Sequence, residues 1–322
     1  MTASHTPRIT LIVPCYNEEQ NIPLFVTTVQ QLLVDIDWKI LFVNDGSLDH
    51  TWDVIKHSAC QDARISGICF SRNFGHQNAL KAGFDYCASH DDADACITLD
   101  ADLQHPIELI PELVKLWQEG AKIVQTVRQD QGRRISHLKK YTSCLYYGFF
   151  SWLSNTTIQP GTADFRLVDR DVLHFIVESG DKDIFLRGLL PWSGLRTVML
   201  PYIPHERQYG TSQYTLSKMV KLATAGILGY SVRPLYIALG LGLVAIFLSL
   251  FYFIYVISVS LMGSGVSMGW PSLMATMLGM GGVQLFVSGI MGLYVGRIVN
   301  TLNKRPPYLI TETTPTNQPV NI

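Results

Sequence analysis

Between Pro234 and Gly296 the chain has no Asp, Glu, Lys, Arg or His. Leu235–Leu261 and Ser272–Val295 each exceed the roughly 20 apolar residues that cross a bilayer. Met262–Pro271, with three glycines and a proline, reads as the turn between them. The chain also lacks an excess of either charge, with a formal charge of −1 over 322 residues, so nothing argues for nucleic acid as a partner. Its six cysteines form no Cys-x-x-Cys pair. Several sit in apolar runs, where a thiol behaves as a small hydrophobe, and a reducing compartment is expected over a disulfide framework. The first apolar run, Ile9 to Val13, is too short for a signal peptide. No P-loop is present, and no phosphate-binding glycine fingerprint follows a strand. Gly240-x-Gly242-x-x-Ala245 matches such a fingerprint only inside the uncharged segment, with no strand before it. A nucleotide would therefore be held by side chains and a metal.

Residues 8–126 alternate between short apolar runs and helix-length stretches. Strands are expected at Ile9–Val13, Ile40–Val43, Ile65–Phe70, Cys96–Leu99 and Ile123–Thr126. Helices are expected near Asn21–Ile36, Asp49–Gln61, His76–Cys87 and Glu108–Gly120. This is an α/β pattern, a mostly parallel sheet with helices on both faces. Such sheets bind ligands beyond the carboxyl ends of their strands. Polar residues gather there: Pro14 to Glu19, Asn44 to Ser47, Ser71 to Gly75, and the pair Asp100 and Asp102. On an extended backbone residues i and i+2 face the same way, so the Asp pair is expected to converge on one divalent cation, Mg²⁺ or Mn²⁺; the plainer reading is that Asp-x-Asp is a common tripeptide and often only a turn.

Residues 127–233 read as irregular. Arg133 to Tyr141 opens a basic amphipathic stretch, with Ile135, Leu138, Tyr141, Leu145, Phe149 and Trp152 at helical spacing, suited to a membrane interface or to packing on the sheet. In Gly161-Thr-Ala-Asp-Phe-Arg-Leu167, Asp164 and Arg166 have the ordinary fate of a surface ion pair as their plainest reading. Lys218, Lys221 and Arg233 precede the uncharged segment and Arg297, Lys304 and Arg305 follow it, so the positive-inside rule puts both ends in the cytoplasm. Ala238-x-x-x-Gly242 and Gly292-x-x-x-Gly296 would allow close helix approach. The Thr-, Pro- and Asn-rich tail from Thr311 is expected to be disordered.

Taken in order, Val13-Pro-Cys-Tyr-Asn-Glu-Glu19, Asn44-Asp-Gly-Ser-Leu-Asp49 and Leu99-Asp-Ala-Asp-Leu-Gln104 resemble the signature of family 2 glycosyltransferases. Arg72-Asn-Phe-Gly-His-Gln77 and Asp164-Phe-Arg-Leu167 resemble its polyprenyl-phosphate branch, which includes bactoprenol glucosyltransferases and dolichyl-phosphate mannose synthases. The Gln-x-x-Arg-Trp motif of the processive synthases is absent. The resemblance covers about residues 8–305 and implies a glycosyltransferase A-type fold, with interfacial helices and a C-terminal two-helix transmembrane hairpin.

It implies four regions: a cytoplasmic nucleotide-sugar domain over 1–210, an interfacial segment over 211–233, the hairpin over 234–296, and a cytoplasmic tail over 297–322. It places Pro14, Tyr16, Glu18, Asp45, Arg72 and Asp100 at the nucleotide sugar. Asp100, Asp102 and Gln104 fall at the metal, and Arg128, Arg166, Arg207 and Ser212 at the acceptor phosphate. Asp164 stands beside the transferred sugar, as orienting group or base. One departure is Gly210-Thr-Ser-Gln-Tyr214, where the family often has a lysine in place of Gln213; Arg207 or Lys218 is the expected substitute.

The implied activity is inverting hexose transfer from a nucleotide sugar to a polyprenyl phosphate at the cytoplasmic face of the cell membrane. UDP-glucose is favoured over GDP-mannose, UDP-aminoarabinose and UDP-GlcNAc. The implied partners are the nucleotide sugar, polyprenyl phosphate and membrane lipids, with a homo-oligomer allowed. Two non-enzyme readings compete: a membrane-anchored nucleotide-sugar-binding subunit, and a structural subunit such as part of a flippase.

Overall fold

The structure, a computed structural model, describes residues 7–90, 93–129, 161–180, 186–204, 232–261, 269–303 and 305–314. The chain divides into two units, one of residues 1–144, 157–213 and 305–322, the other of 145–156 and 214–304.

The first unit runs β1 (Arg8–Cys15), α1 (Asn21–Leu32), β2 (Asp37–Asn44), α2 (Thr51–Gln61), β3 (Ile65–Phe70), α3 (His76–His90) and β4 (Ala95–Thr98). A 3₁₀ turn (Ile107–Leu109), α4 (Ile110–Gln118), β5 (Ile123–Arg128), β6 (Thr162–Asp169), α5 (Arg170–Glu178), α6 (Leu186–Trp192) and β7 (Thr197–Tyr202) follow, with β8 (Ile310–Thr313) after the second unit. One sheet orders them β7-β5-β6-β4-β1-β2-β3-β8. The β3-β2-β1-β4 core is parallel, and so is β5 with β7; β6 runs antiparallel to β4 and β5, and β8 antiparallel to β3.

Seven of the eight β1 residues are buried, as a central parallel strand covered on both faces requires. Ile9, Leu11 and Val13 pack with Phe25 and Val29 of α1 and Ile110 and Leu113 of α4. Ile12 faces the other way, with Leu80 and Phe84 of α3, Val172 and Ile176 of α5, and Leu186 and Leu190 of α6. Helix α3 lies so close to β1 that a Cβ on Gly83 would meet Ile12 Cγ2 at 2.3 Å. The chain leaves β1 towards β2 and β3 on one side, then returns to β4 on the other. That reversal opens a crevice above β1 and β4.

Three sequence expectations change here. Residues 162–202, read as irregular, hold β6, α5, α6 and β7. The tail from Thr311 does not begin disordered: Ile310–Thr313 pair with β3, Trp52 Nε1 donates to Glu312 Oε2 (2.7 Å), and Tyr308 stacks on Phe70 at 5.2 Å. Backbone pairing onto an existing edge does not require an apolar strand. Pro271 opens a helix instead of sitting in the turn, because its missing N–H costs nothing in a first turn.

The second unit contains α7 (Arg233–Leu261) and α8 (Trp270–Leu302). Both are long and apolar enough to cross a membrane, with mean hydropathy 2.3 over Arg233–Tyr252 and 1.5 over Gly279–Val299. The stretch 133–152, Arg207, Ser212, Lys218 and nearly all of the expected interfacial segment lie outside the described residues.

Candidate active site

The loops after β1 and β2 are sewn together. The Asn17 amide, in a residue with φ of +57°, donates to Ser47 Oγ (2.9 Å), and Asn17 Oδ1 accepts from the Leu48 amide (2.9 Å). The Glu18 amide donates to Thr51 Oγ1 (2.8 Å), and the Glu18 carboxylate accepts from the Asn21 side chain. Pro14 is buried opposite Val43, while Tyr16 is half-buried just beyond the strand. The loop after β3 joins through Asp45, whose carboxylate accepts from the Phe74 amide (2.7 Å) and the Gly75 amide (2.9 Å). Burial raises the Asp45 pKa, against those two amides and the His76 charge. Gly46 has φ of +64°, and a Cβ there would lie 2.3 Å from the Arg72 carbonyl carbon, so only glycine lets the loops meet. The Arg72 guanidinium is exposed and lies 4.4 Å over the Phe74 ring.

Strand β4 stops at Thr98, and Ala101 and Asp102 form a turn in which Leu103 has φ of +59°. The same-face argument for Asp100 and Asp102 therefore fails, because the backbone between them is not extended. Asp100 projects with 40% of its side chain exposed. Its amide donates to His105 Nδ1 (3.1 Å), leaving the His105 ring proton on Nε2. Asp102 Oδ1 accepts from the Gln104 amide (3.1 Å). His105 stacks on Phe165 (5.2 Å), and Tyr202 of β7 stands against both rings. Burial pushes the Tyr202 phenol up to about 12; Arg128 opposes this, and Asp100, Asp102 and Asp164 add to it. All three carboxylates and Arg128 lie within electrostatic reach of this one phenol.

Asp164 lies in the middle of β6 and is held from three elements. Arg166 Nη2 donates to its Oδ1 (2.6 Å), while Arg187 of α6 gives Nε to Oδ1 (3.3 Å) and Nη2 to Oδ2 (3.1 Å). His76 Nε2, on the first residue of α3, is 3.6 Å from Asp164 Oδ2 and 3.9 Å from Asp100 Oδ1. Burial alone would raise the Asp164 pKa, but Arg187, His76 and Arg166 together hold it well below the usual carboxylate range. Burial would lower the His76 pKa, yet Asp164 and Asp100 raise it to about 8. The pair Asp164–Arg166 is therefore no surface ion pair.

Arg166 is 0% exposed, and among the described residues its Nε and Nη1 find no partner. An acceptor phosphate needs an accessible guanidinium, so the expectation that Arg166 meets it gives way to a place behind Asp164. Arg128 ends β5 beside Tyr202, at the rim.

Sequence reasoning missed Arg187 and Tyr202, and gave no role to His76 and His105. Arg187 did carry a signal: it is the only charge in Phe185-Leu-Arg-Gly-Leu-Leu-Pro-Trp192, and a lone charge in an apolar helix needs a partner. His76 opens a helix, where an imidazolium is disfavoured unless carboxylates lie near.

The strand order reverses between β1 and β4, with Asp100, Asp102 and the arginine-held Asp164 about that switch, on a mostly parallel sheet of the glycosyltransferase A type. The particular family follows from sequence: residues 10–175 match the family model for glycosyl transferase family 2, and the chain belongs to that family. It is 37% identical over 305 residues to a prophage bactoprenol glucosyl transferase homologue of Escherichia coli, covering 94% of this chain and 98% of that one. It is equally similar to the SfII prophage-derived bactoprenol glucosyl transferase of Shigella flexneri, over 94% and 97%. Among solved structures, glucosyl-3-phosphoglycerate synthase of Mycobacterium tuberculosis, in complex with Mn²⁺, UDP-glucose and phosphoglyceric acid, is 16% identical, with a TM-score of 0.46 over 69% of this chain and 78% of that one.

Proposed function

We propose that this glycosyltransferase moves a hexose, with glucose from UDP-glucose the first candidate, onto a polyprenyl phosphate, with inversion, at the cytoplasmic face of a membrane. The observation that carries the reading is the buried, ionised Asp164 beside Asp100. Its clamp of cations makes it a poor base. The chemistry does not ask for one, because a phosphate monoester with a second pKa near 6 is largely a dianion at neutral pH. Asp164 accordingly orients the sugar through its hydroxyls, and the acceptor oxygen attacks unaided from the far side. Among the described residues Asp164 is the one carboxylate given a place beside the sugar, which favours a single inverting displacement over a covalent intermediate.

The donor set for a metal is hard: the Asp100 and Asp102 carboxylates and the side-chain amide oxygen of Gln104, whose backbone amide donates to Asp102. Among the described residues no group of three or more His, Cys, Asp or Glu is gathered for a metal. Two carboxylates and an amide oxygen suit Mg²⁺ or Mn²⁺, which binds through one or two carboxylates and completes its shell with substrate phosphates and water. Asp100 and Asp102 would hold the ion, and it would neutralise charge on the leaving diphosphate. Pro14, Tyr16, Glu18 and Arg72 line the donor side, with Asp45 fixing their loops. Arg128 serves the acceptor, with Arg207 and Ser212 as further candidates. The relatives named as bactoprenol glucosyl transferases support the acceptor class. The chain enters the hairpin from the first unit and rejoins that unit's sheet at β8, which supports both outer ends lying on one side of the membrane.

The test is the purified full chain with labelled nucleotide sugars and undecaprenyl phosphate. UDP-glucose should give a β-linked, lipid-extractable product, lost on chelation and in Asp102→Ala. No lipid product from UDP-glucose, GDP-mannose, UDP-GlcNAc or UDP-aminoarabinose would sink the reading, and an α-linked product would remove inversion.

A further inference from the structure

We infer that Arg187, a residue outside every motif of the chain, is a positioning residue that aims Asp164. The inference rests on the role given above to Asp164 and extends it to a second element of the fold.

Three geometric facts carry it. Arg187 is the group that grips both oxygens of the carboxylate, through Nε at 3.3 Å and Nη2 at 3.1 Å. A guanidinium fork that spans two carboxylate oxygens fixes the carboxylate plane, which a point charge cannot do. Arg166 reaches Oδ1 alone, from a fully buried place, so it sets depth but not rotation. His76 lies 3.6 Å from Oδ2, beyond a good hydrogen bond.

The Arg187 backbone is itself fixed. Leu186, Leu189 and Leu190 bury the inner face of α6 in the cluster that includes Leu80 of α3 and Val168 of β6. The arginine stem then runs along a cavity of about 230 Å³, lined also by Leu186, Leu190, Pro191, Met199 and Thr162. The fork and the carboxylate meet at the head of that stem, where two bonds fix the plane of each against the other. With 31% of its side chain exposed, Arg187 stands at the solvent side of Asp164, whereas Arg166 stands at its core side. A carboxylate held between the two can turn neither way, and fixed direction is what an orienting group needs, since small misplacements of a reacting sugar cost large factors in rate.

The experiment is a double-mutant cycle on the full-length protein with Arg187→Gln, Arg187→Lys and Asp164→Asn. Arg187→Gln should lower kcat by about ten- to a hundredfold, the scale of one or two charge-assisted hydrogen bonds, with the donor KM within threefold of the parent. Arg187→Lys, which keeps the charge but loses the fork, should recover only part of that. In an Asp164→Asn background, Arg187→Gln should cost no more than a further twofold. Nucleotide-diphosphate titration and a melting curve report whether each variant is folded. Should Arg187→Gln fail to fold, the Arg187→Lys arm of the cycle decides on the same criterion. Full additivity of the two substitutions would show that Arg187 acts on its own, for instance on the acceptor phosphate, and would overturn the inference alone. Parental activity in Asp164→Asn would overturn both the inference and the role given to Asp164.

Discussion

Removing the Asp164 carboxylate should damage stability as much as chemistry, and the two losses can be separated. Arg166 is 0% exposed and has Asp164 Oδ1 and the Ala163 carbonyl as its acceptors, at 2.6 and 3.1 Å. Asp164→Ala leaves a guanidinium in the core with one carbonyl. Breaking a buried pair by deleting one partner costs about 3–5 kcal/mol, because the remaining charge is uncompensated. At roughly 2–4 °C per kcal/mol for a domain of this size, the midpoint should fall by about 6–20 °C. Replacing both partners with apolar residues removes the orphan: Asp164→Ala with Arg166→Met should regain most of the lost midpoint while staying inactive. The assay is scanning fluorimetry of detergent-solubilised protein beside the transfer assay. If Asp164→Ala melts within 2 °C of the parent, or the double variant melts below the single one, the burial argument is wrong.

Other outcomes follow from the same geometry. Arg128→Ala should raise the KM for lipid phosphate about ten- to a hundredfold, the scale of a charge-assisted contact, and leave nucleotide affinity nearly intact; kinetics with varied lipid against nucleotide titration decides it. Because the folded His76 pKa is raised to about 8 from an ordinary 6.5, its contribution to stability is complete below about 6.5 and lost as pH rises through 8. Melting curves from pH 6 to 9 should lose that part of their slope in His76→Gln, and an unchanged slope would count against the contact with Asp164. Ending the chain after Arg305 removes the Tyr308 bond to Asp85 (2.7 Å) and the whole of β8. The melting midpoint should drop and the Trp52 fluorescence should shift, since Nε1 loses Glu312; unchanged spectra would show that β8 is dispensable.

What could be read from sequence was the part of the sheet buried on both faces. Strands β1 to β4 are built on short apolar runs, and each ends in a polar loop at the same rim; β5 was legible as a strand alone. Strands β6 and β7 hid for physical reasons. β6 carries Asp164 and Arg166 in its interior, and a charged pair there resembles a surface pair until the sheet brings α6 and α3 over it. β7 contains Pro201, which a central strand would not tolerate, but β7 is an edge strand where a missing N–H is harmless. Among site residues, Asp100, Asp102 and Asp164 were legible as residue types, and the turn after Thr98 stood only as the plainer alternative to an extended pair. Arg187 lies 23 positions from Asp164, a separation that no local pattern encodes.

The last strand of the sheet has a consequence for how the molecule is made. β8 meets β3 across 242 positions, as between Thr311 and Cys69, and both membrane-length helices are synthesised in that interval. At 5–20 residues per second, the edge of β3 waits roughly 12–50 s for its partner. During that wait Phe70 and Trp52 lack the Tyr308 ring and Glu312 that later meet them. A chain that stopped within either helix would keep that edge open, so the finished sheet marks a chain synthesised through both.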